Sequence, residues 1–289
     1  MSIKPLVKII RTTRGHWVGD GFPVRNLLAY NNGFDELQSP FLLLDYAGPY
    51  EFPPTNKKLG VGEHPHRGFE TVTIVYEGEV SHRDSSGAGG TIGKGDVQWM
   101  TAAAGVVHEE FHSERFAKTG GRFEMVQLWV NLPTKDKMNA PSYQGITSHQ
   151  IPVVTLPDAQ GTVRVIAGEF ANAKGAAHTH TPINMWDMQL NSGADLKLST
   201  QEGYSTVVLV LEGQVVANQQ TPIQAGELGL FSLEGTSLHL STTTGAKVLL
   251  LSGETINEPV VGHGPFVMNT QAEIHQAMRD YQQGKMGHL

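Results

Sequence analysis

Cysteine is absent from this 289-residue chain. Neither disulfides nor thiolate metal sites are available to it, so any metal must rest on nitrogen and oxygen ligands. A chain without disulfides also fits a cytoplasmic location. No uninterrupted apolar run reaches the roughly 18 residues that a membrane-spanning helix needs. At the start, Lys4 and Lys8 interrupt the apolar residues and no small-residue cleavage site follows, so no signal peptide is expected. Basic residues are scarce as well: 21 Lys and Arg against 28 Asp and Glu leave a net charge of −7. Nucleic acid and anionic membranes are held by clustered Lys and Arg, so direct binding to either is not the expected role.

What the chain does have is length and turns. At 289 residues it is long enough for two domains of ordinary size, each with its own core. The 33 Gly and 15 Pro, with 39% hydrophobic and 17% charged residues, describe a turn-rich globular protein that leans towards all-β. Pro40 to Tyr46 is a short apolar run bounded by turn residues, which predicts a buried strand. Thr71 to Tyr76 predicts another, ending at the turn Glu77-Gly78, and Val97 to Met100 a third. Val126 to Leu132 alternates and closes the first sheet, with Pro133 to Lys137 read as the start of a linker. Near the end, Thr270-Gln271-Ala272-Glu273 is a capping box, and Ile274, Ala277, Met278 and Tyr281 follow at helical spacing. One amphipathic helix is therefore expected to close the chain, its stripe in the core.

The one dense concentration of chemistry is His64-Pro65-His66, answered by His108-Glu109-Glu110. Successive strand side chains point to opposite faces, so His64 and His66 share one face, and so do His108 and Glu110. If the two strands face each other in a barrel, four donors converge. Three imidazoles and a carboxylate suit a first-row divalent metal with open positions. A His-x-His pair alone occurs by chance on ordinary strands; the second pair makes the metal reading the stronger one. Glu109 should point away, and Pro65, which has no backbone donor, should sit at an edge. Arg67 and Glu70 read as an ion pair or as groups supporting the ligands. His82 and His112 read as solvated strand-end residues, while His149, His263, His275 and His288 have no ligand-like spacing. Trp99 and Trp129 read as core or pocket-wall rings.

The pattern recurs. His66 to Val80 set over Gln201 to Val215 brings Gly, Thr, Val, Val, Glu, Gly and Val into coincidence, and counting on from Gly95 and Gly226 puts His239 opposite His108. At the other ligand positions the second copy has Ser199, Gln201 and Ser241, so the metal is expected in the N-terminal copy alone. His178-Thr179-His180 lies about twenty residues ahead of the matching position and reads as a surface or interfacial pair.

Gly62-Glu-His-Pro-His-Arg-Gly-Phe-Glu-Thr71 resembles the metal-site opening of the pirins, bicupin members of the cupin superfamily. The likeness continues through Gly95 to Ala102, Gln127 to Leu132, and Glu258 to Thr270, nearly the whole chain. It implies an all-β fold of two cupin, jelly-roll-type barrels from a duplicated unit, plus a C-terminal helix. Along the sequence these fall as a metal-binding barrel at 1–135, a barrel with a degenerate site at 136–260, and a loop and helix at 261–289 that dock back on the barrels. The family's ligands fall on His64, His66, His108 and Glu110. The metal is expected to be Fe(II), although the same donors accept Zn, Ni, Mn, Cu and Co. The resemblance also implies a quercetin 2,3-dioxygenase-type activity on a flavonol-like substrate with O2, Glu110 serving as general base and the ring opening with loss of carbon monoxide. The alternative it implies is an iron- and redox-dependent regulator that acts through a protein partner, as a transcriptional co-regulator or a modulator of metabolic enzymes. Since histidine coordinates only when neutral, metal is expected to be lost on acidification below the imidazole range.

Overall fold

The computed structural model describes residues 2–289, so Met1 lies outside the described residues. Strands make up 53% of the chain and helices 10%, in keeping with the turn-rich composition. The contacts divide into two units, and the division is interleaved rather than sequential. The first unit holds Arg14–Asn26, Phe41–Ser148 and Ile256–Leu289; the second holds the chain up to Thr13, Leu27–Pro40 and His149–Thr255. The contact division thus differs from cuts in chain order at 135 and 260. The reason is strand pairing: Leu6–Ile10 finds its antiparallel partner in Leu228–Phe231, so the start of the chain belongs with the later strands.

Ten elements position the side chains that matter for function. In the first unit they are β1 (Gly60–His66), β2 (Phe69–Glu77), β3 (Val80–Asp84), β4 (Val97–Thr101), β5 (Val106–His112) and β6 (Gly121–Asn131). In the second unit they are β7 (Asp195–Ser199), β8 (Tyr204–Ala217) and β9 (Ser237–Ser241). The terminal helix α1 (Gln271–Gln282) belongs to the first unit.

The first unit has two main antiparallel sheets and a two-stranded one, Val261–His263 with Phe266–Met268. The smaller main sheet runs β1, β5, β3 and Gly89–Ile92; the larger runs Ser142–Ile146, β4, β2, β6 and Phe41–Phe52, then Phe22–Ala29 and His16–Val18. One core cluster of this unit holds Phe22, Phe52, Val75, Val80, Phe116, Phe123 and Met125. In the second unit, β7 pairs with β9, and a large apolar cluster includes Leu196, Leu198, Leu238 and Leu240.

Helix α1 begins as its sequence requires. Thr270 Oγ1 accepts from the Glu273 backbone N–H, and the Glu273 carboxylate accepts from Thr270 Oγ1 and from the Asn269 N–H. Ile274 and Ala277 are buried against Val107, Phe266, Met268 and Met286. Tyr281 is not part of that stripe: it is 40% exposed. Asp280 takes the inward position instead, because Arg67 Nη1 reaches its carboxylate at 2.9 Å in a pair only 5% and 10% exposed.

The segment read as a linker is also fixed. Lys137 is buried, and its ammonium donates to Gly68 O, Asn131 Oδ1 and Val267 O at 2.6–3.0 Å. Burial pushes its pKa down to about 8. Gly68 has φ +90°, and a Cβ there would meet the Val267 carbonyl oxygen at 2.0 Å, so the turn after His66 can be only glycine. Arg67, Gly68, Lys137 and Asp280 thus clamp the end of β1 against the chain's tail.

Candidate metal centre

Strand β1 is the edge of the smaller sheet, and Pro65 sits in it where a missing N–H costs no ladder bond. Across the pair with β5, His64 stands opposite His108 and His66 opposite Val106. The three imidazoles of His64, His66 and His108 pack with ring centroids 4.2 to 4.8 Å apart. One ligand nitrogen from each lies within 4.8 Å of the other two.

Each ring has its Nδ1 engaged. His64 Nδ1 donates to Gly62 O at 2.8 Å and His66 Nδ1 to Pro265 O at 3.4 Å, since a carbonyl can only accept. Both rings therefore keep the lone pair on Nε2. His108 Nδ1 lies 3.2 Å from His82 Nδ1, and His108 Nε2 is buried without a protein partner. Such an orphaned ring nitrogen among imidazoles is the donor set a first-row divalent ion requires, so the residues present fit a metal. Burial pushes the pKa of both His66 and His108 well below the ordinary value of 6.5, with the neighbouring imidazoles adding to the effect. These rings are held in the neutral form that coordinates.

Glu110 lies to one side. The β5–β1 register shifts between His108 and Glu110, so that Glu110 faces Val61 on β1 and His82 on β3. Its carboxylate accepts from Gln98 Nε2 at 3.2 Å and from Thr73 Oγ1 at 3.5 Å. Of the four expected donors, three come together as one group, while Glu110 forms a second group with His82 and His108. His108 is common to both. Glu109 points away as expected, bound by Lys58 at 2.9 Å and Arg83 at 2.6 Å.

Several residues take roles other than those expected. His82 is buried rather than solvated: its Nε2 donates to Asp84 Oδ2 at 3.1 Å and the Tyr143 ring stacks on it at 5.1 Å. His112 is buried too, donating from Nε2 to Gly21 O at 2.9 Å among the rings of Phe22, Phe52, Phe116 and Phe123. Strand period explains both. Val80, His82 and Asp84 share the inward face of β3, and Val106, His108, Glu110 and His112 that of β5. The apolar Val80 at the head of the His82-x-Asp84 run was the available signal. Arg67 pairs with Asp280 and not with Glu70, whose carboxylate accepts from Thr101 Oγ1 at 2.6 Å. Trp99 is core; Trp129 stacks on Phe69 at 4.3 Å and meets His66 edge-on at 5.3 Å, making a wall beside the imidazoles. His178 and His180, in the second unit, are exposed.

Comparison with known proteins gives this geometry its context. The family model described as Pirin matches residues 21–130, and that described as Pirin C-terminal cupin domain matches residues 185–287. A Pseudomonas aeruginosa protein provisionally named quercetin 2,3-dioxygenase is 52% identical over 98% of both chains. Pirin-like protein 2 of Arabidopsis thaliana is 39% identical over 93% of this chain and 81% of its own. The crystal structure of quercetin 2,3-dioxygenase from Acinetobacter baumannii superposes with a TM-score of 0.95 at 53% identity, covering 99% of each chain. The fold is all-β, with two cupin domains and a C-terminal helix. With both domain models matched in order and relatives aligned over nearly its whole length, the chain belongs to the pirin family.

Proposed function

We propose that this chain is a metal-dependent dioxygenase of the quercetin 2,3-dioxygenase type, opening a flavonol-like ring with O2. The observation that carries the reading is the group of three imidazoles in which His108 Nε2 is buried and unpartnered. The printed names of the similar Pseudomonas and Acinetobacter proteins support the reaction class.

His64, His66 and His108 would hold the ion, with Glu110 completing the set. Bound there, iron would supply Lewis acidity towards an enolic oxygen and a common site for substrate and O2. Fe(II) is the proposed metal; the donor chemistry itself also admits Zn, Ni, Mn, Cu and Co.

The chain's own groups do the rest. Released from the metal, Glu110 takes the proton of the substrate hydroxyl, its carboxylate anchored by Gln98 and Thr73. Trp129, backed by the fully buried Phe69 and meeting His66 edge-on, supplies the half-buried ring beside the imidazoles against which a planar ring system would pack. The clamp from Arg67 to Asp280 and from Lys137 to Gly68 fixes the end of β1, so the two histidines it carries are held in place before any substrate arrives.

Aerobic and anaerobic turnover of quercetin by iron-loaded protein tests the proposal. Oxygen-dependent loss of the flavonol band with release of carbon monoxide is expected. Absence of any metal-dependent substrate loss overturns the reading for this substrate.

A further inference from the structure

His82 and Asp84 lie behind the proposed ligands, and their hydrogen bonds form a directed chain. Asp84 Oδ1 is fully used by its own turn, accepting from the Ser86 N–H at 2.8 Å, Ser86 Oγ at 2.5 Å and the Ala88 N–H at 3.3 Å. Its other oxygen, Oδ2, faces His82 Nε2 at 3.1 Å. A carboxylate can only accept, so His82 carries its proton on Nε2. The nitrogen at the other end of that ring, Nδ1, faces two groups: Gln98 Nε2 at 3.3 Å and His108 Nδ1 at 3.2 Å.

The orientation of Gln98 decides the direction. Its amide end that touches His82 also touches the Glu110 carboxylate at 3.2 Å, so it must be the NH2 end. Tyr143 OH, donating to Gln98 Oε1 at 3.4 Å, agrees. His82 Nδ1 is therefore an acceptor, and His108 must donate to it from Nδ1. That leaves the lone pair of His108 on Nε2, the buried atom with no protein partner. Tyr143, stacked on His82 with planes 14° apart, keeps the ring from turning.

We propose that Asp84 and His82 are positioning residues that set the tautomer of His108, and so aim its Nε2 lone pair at the point shared with His64 and His66. The inference rests on the metal reading above, and it extends that reading: His64 and His66 are oriented by backbone carbonyls, whereas His108 takes its orientation from a buried carboxylate through a second imidazole.

Asp84→Asn tests it with little change of shape. The asparagine keeps an oxygen for Ser86 and Ala88, but presents an amide donor to His82 Nε2. His82 must then accept there and carry its proton on Nδ1, so the proton of His108 is driven to Nε2. Two readouts are needed on the full-length chain. Nitrogen-15 NMR of the imidazoles in metal-free protein reads the tautomer directly, and titration with Co(II) alone reads affinity and coordination spectrum. Expected are His108 as the Nδ1–H form in the native protein, a shift to Nε2–H in Asp84→Asn, and Co(II) affinity lower by about 10- to 100-fold. Ser86→Ala, which removes a turn bond from the other oxygen, should leave tautomer and affinity as in the native chain. His82→Phe keeps the stacking with Tyr143 while removing the acceptor, and should weaken Co(II) binding whether or not Asp84→Asn folds.

The Nε2–H form in the native protein, or native tautomer and affinity in Asp84→Asn, overturns the proposal. If the native protein fails to bind Co(II), the metal reading falls separately, and the tautomer in metal-free protein still decides this one.

Discussion

The two units build the same kind of strand pair, one strand before and one after a long strand, and fill it with opposite chemistry. In the first, β1 and β5 bring His64, His66 and His108 together, with His64 directly across from His108, while Glu110 groups with His82 and His108. In the second, β7 and β9 pair Leu196 with Leu240 and Leu198 with Leu238, and all four leucines lie in the core. His239 is on the outer face, across from Lys197, where its Nε2 donates to the exposed Asp195. Counting along the sequence aligns His239 with His108. The core-facing residues of β9 are Leu238 and Leu240, one to either side of His239, and with a side-chain period of two a step of one exchanges the faces. Where the first unit gathers imidazoles, the second packs leucine. The difference shows that the sheet framework carries no chemistry of its own; the two inward positions on each of two strands decide whether the interior is a donor set or a core.

That contrast can be broken from either side. The largest effect is expected from His108→Leu, which gives β5 the side chain found at its counterpart. It should weaken metal binding by more than about 100-fold, beyond what loss of an outer hydrogen bond costs, as read by chelator competition. Next, Arg67→Ala should destabilise the first unit by about 3 kcal/mol in denaturant unfolding, because it leaves the Asp280 carboxylate buried beside its one remaining cation, Lys285. Leu240→His, which gives β9 an inward imidazole, should cost about 2 kcal/mol or more in lost packing and create no site, since nothing on Leu196 or Leu198 can share a metal.

Acid sharpens the comparison further. A proton competes with metal for each imidazole lone pair, and burial lowers the proton affinity of His66 and His108 well below the ordinary 6.5. Metal should therefore be retained to lower pH than free imidazole would allow, as elemental analysis after dialysis would show. For the metal-free protein the sign comes from linkage. Below pH 6.5 the unfolded chain takes up protons that folded His66 and His108 refuse, so stability falls as pH drops through that value. The smallest effect is expected from Thr270→Ala, which removes the cap of α1 and should cost about 1 kcal/mol in thermal unfolding.

Much of the site and fold was legible in the residues. The i, i+2 spacing put His64 with His66 and His108 with Glu110, and the capping box placed the start of α1 at Thr270. What was not legible depended on partners far along the chain. Asp280 reads as one more polar helix residue until Arg67, more than two hundred residues earlier, is found against it. Lys137 reads as linker because nothing local shows that Gly68 and Val267 present carbonyls to it. His82 reads as solvated because strand ends usually are; only the pairing of β3 with β5 brings it to His108. The extra residue that β1 carries between Val61 and His64, which sets Glu110 opposite Val61, is likewise a property of the strand pair.

The most direct test is the metal content of three proteins purified side by side: the native chain, His108→Leu and His239→Leu. The account predicts that the native chain and His239→Leu bind a single equivalent equally well, and that His108→Leu binds none. Retention of metal by His108→Leu, or its loss from His239→Leu, would contradict it.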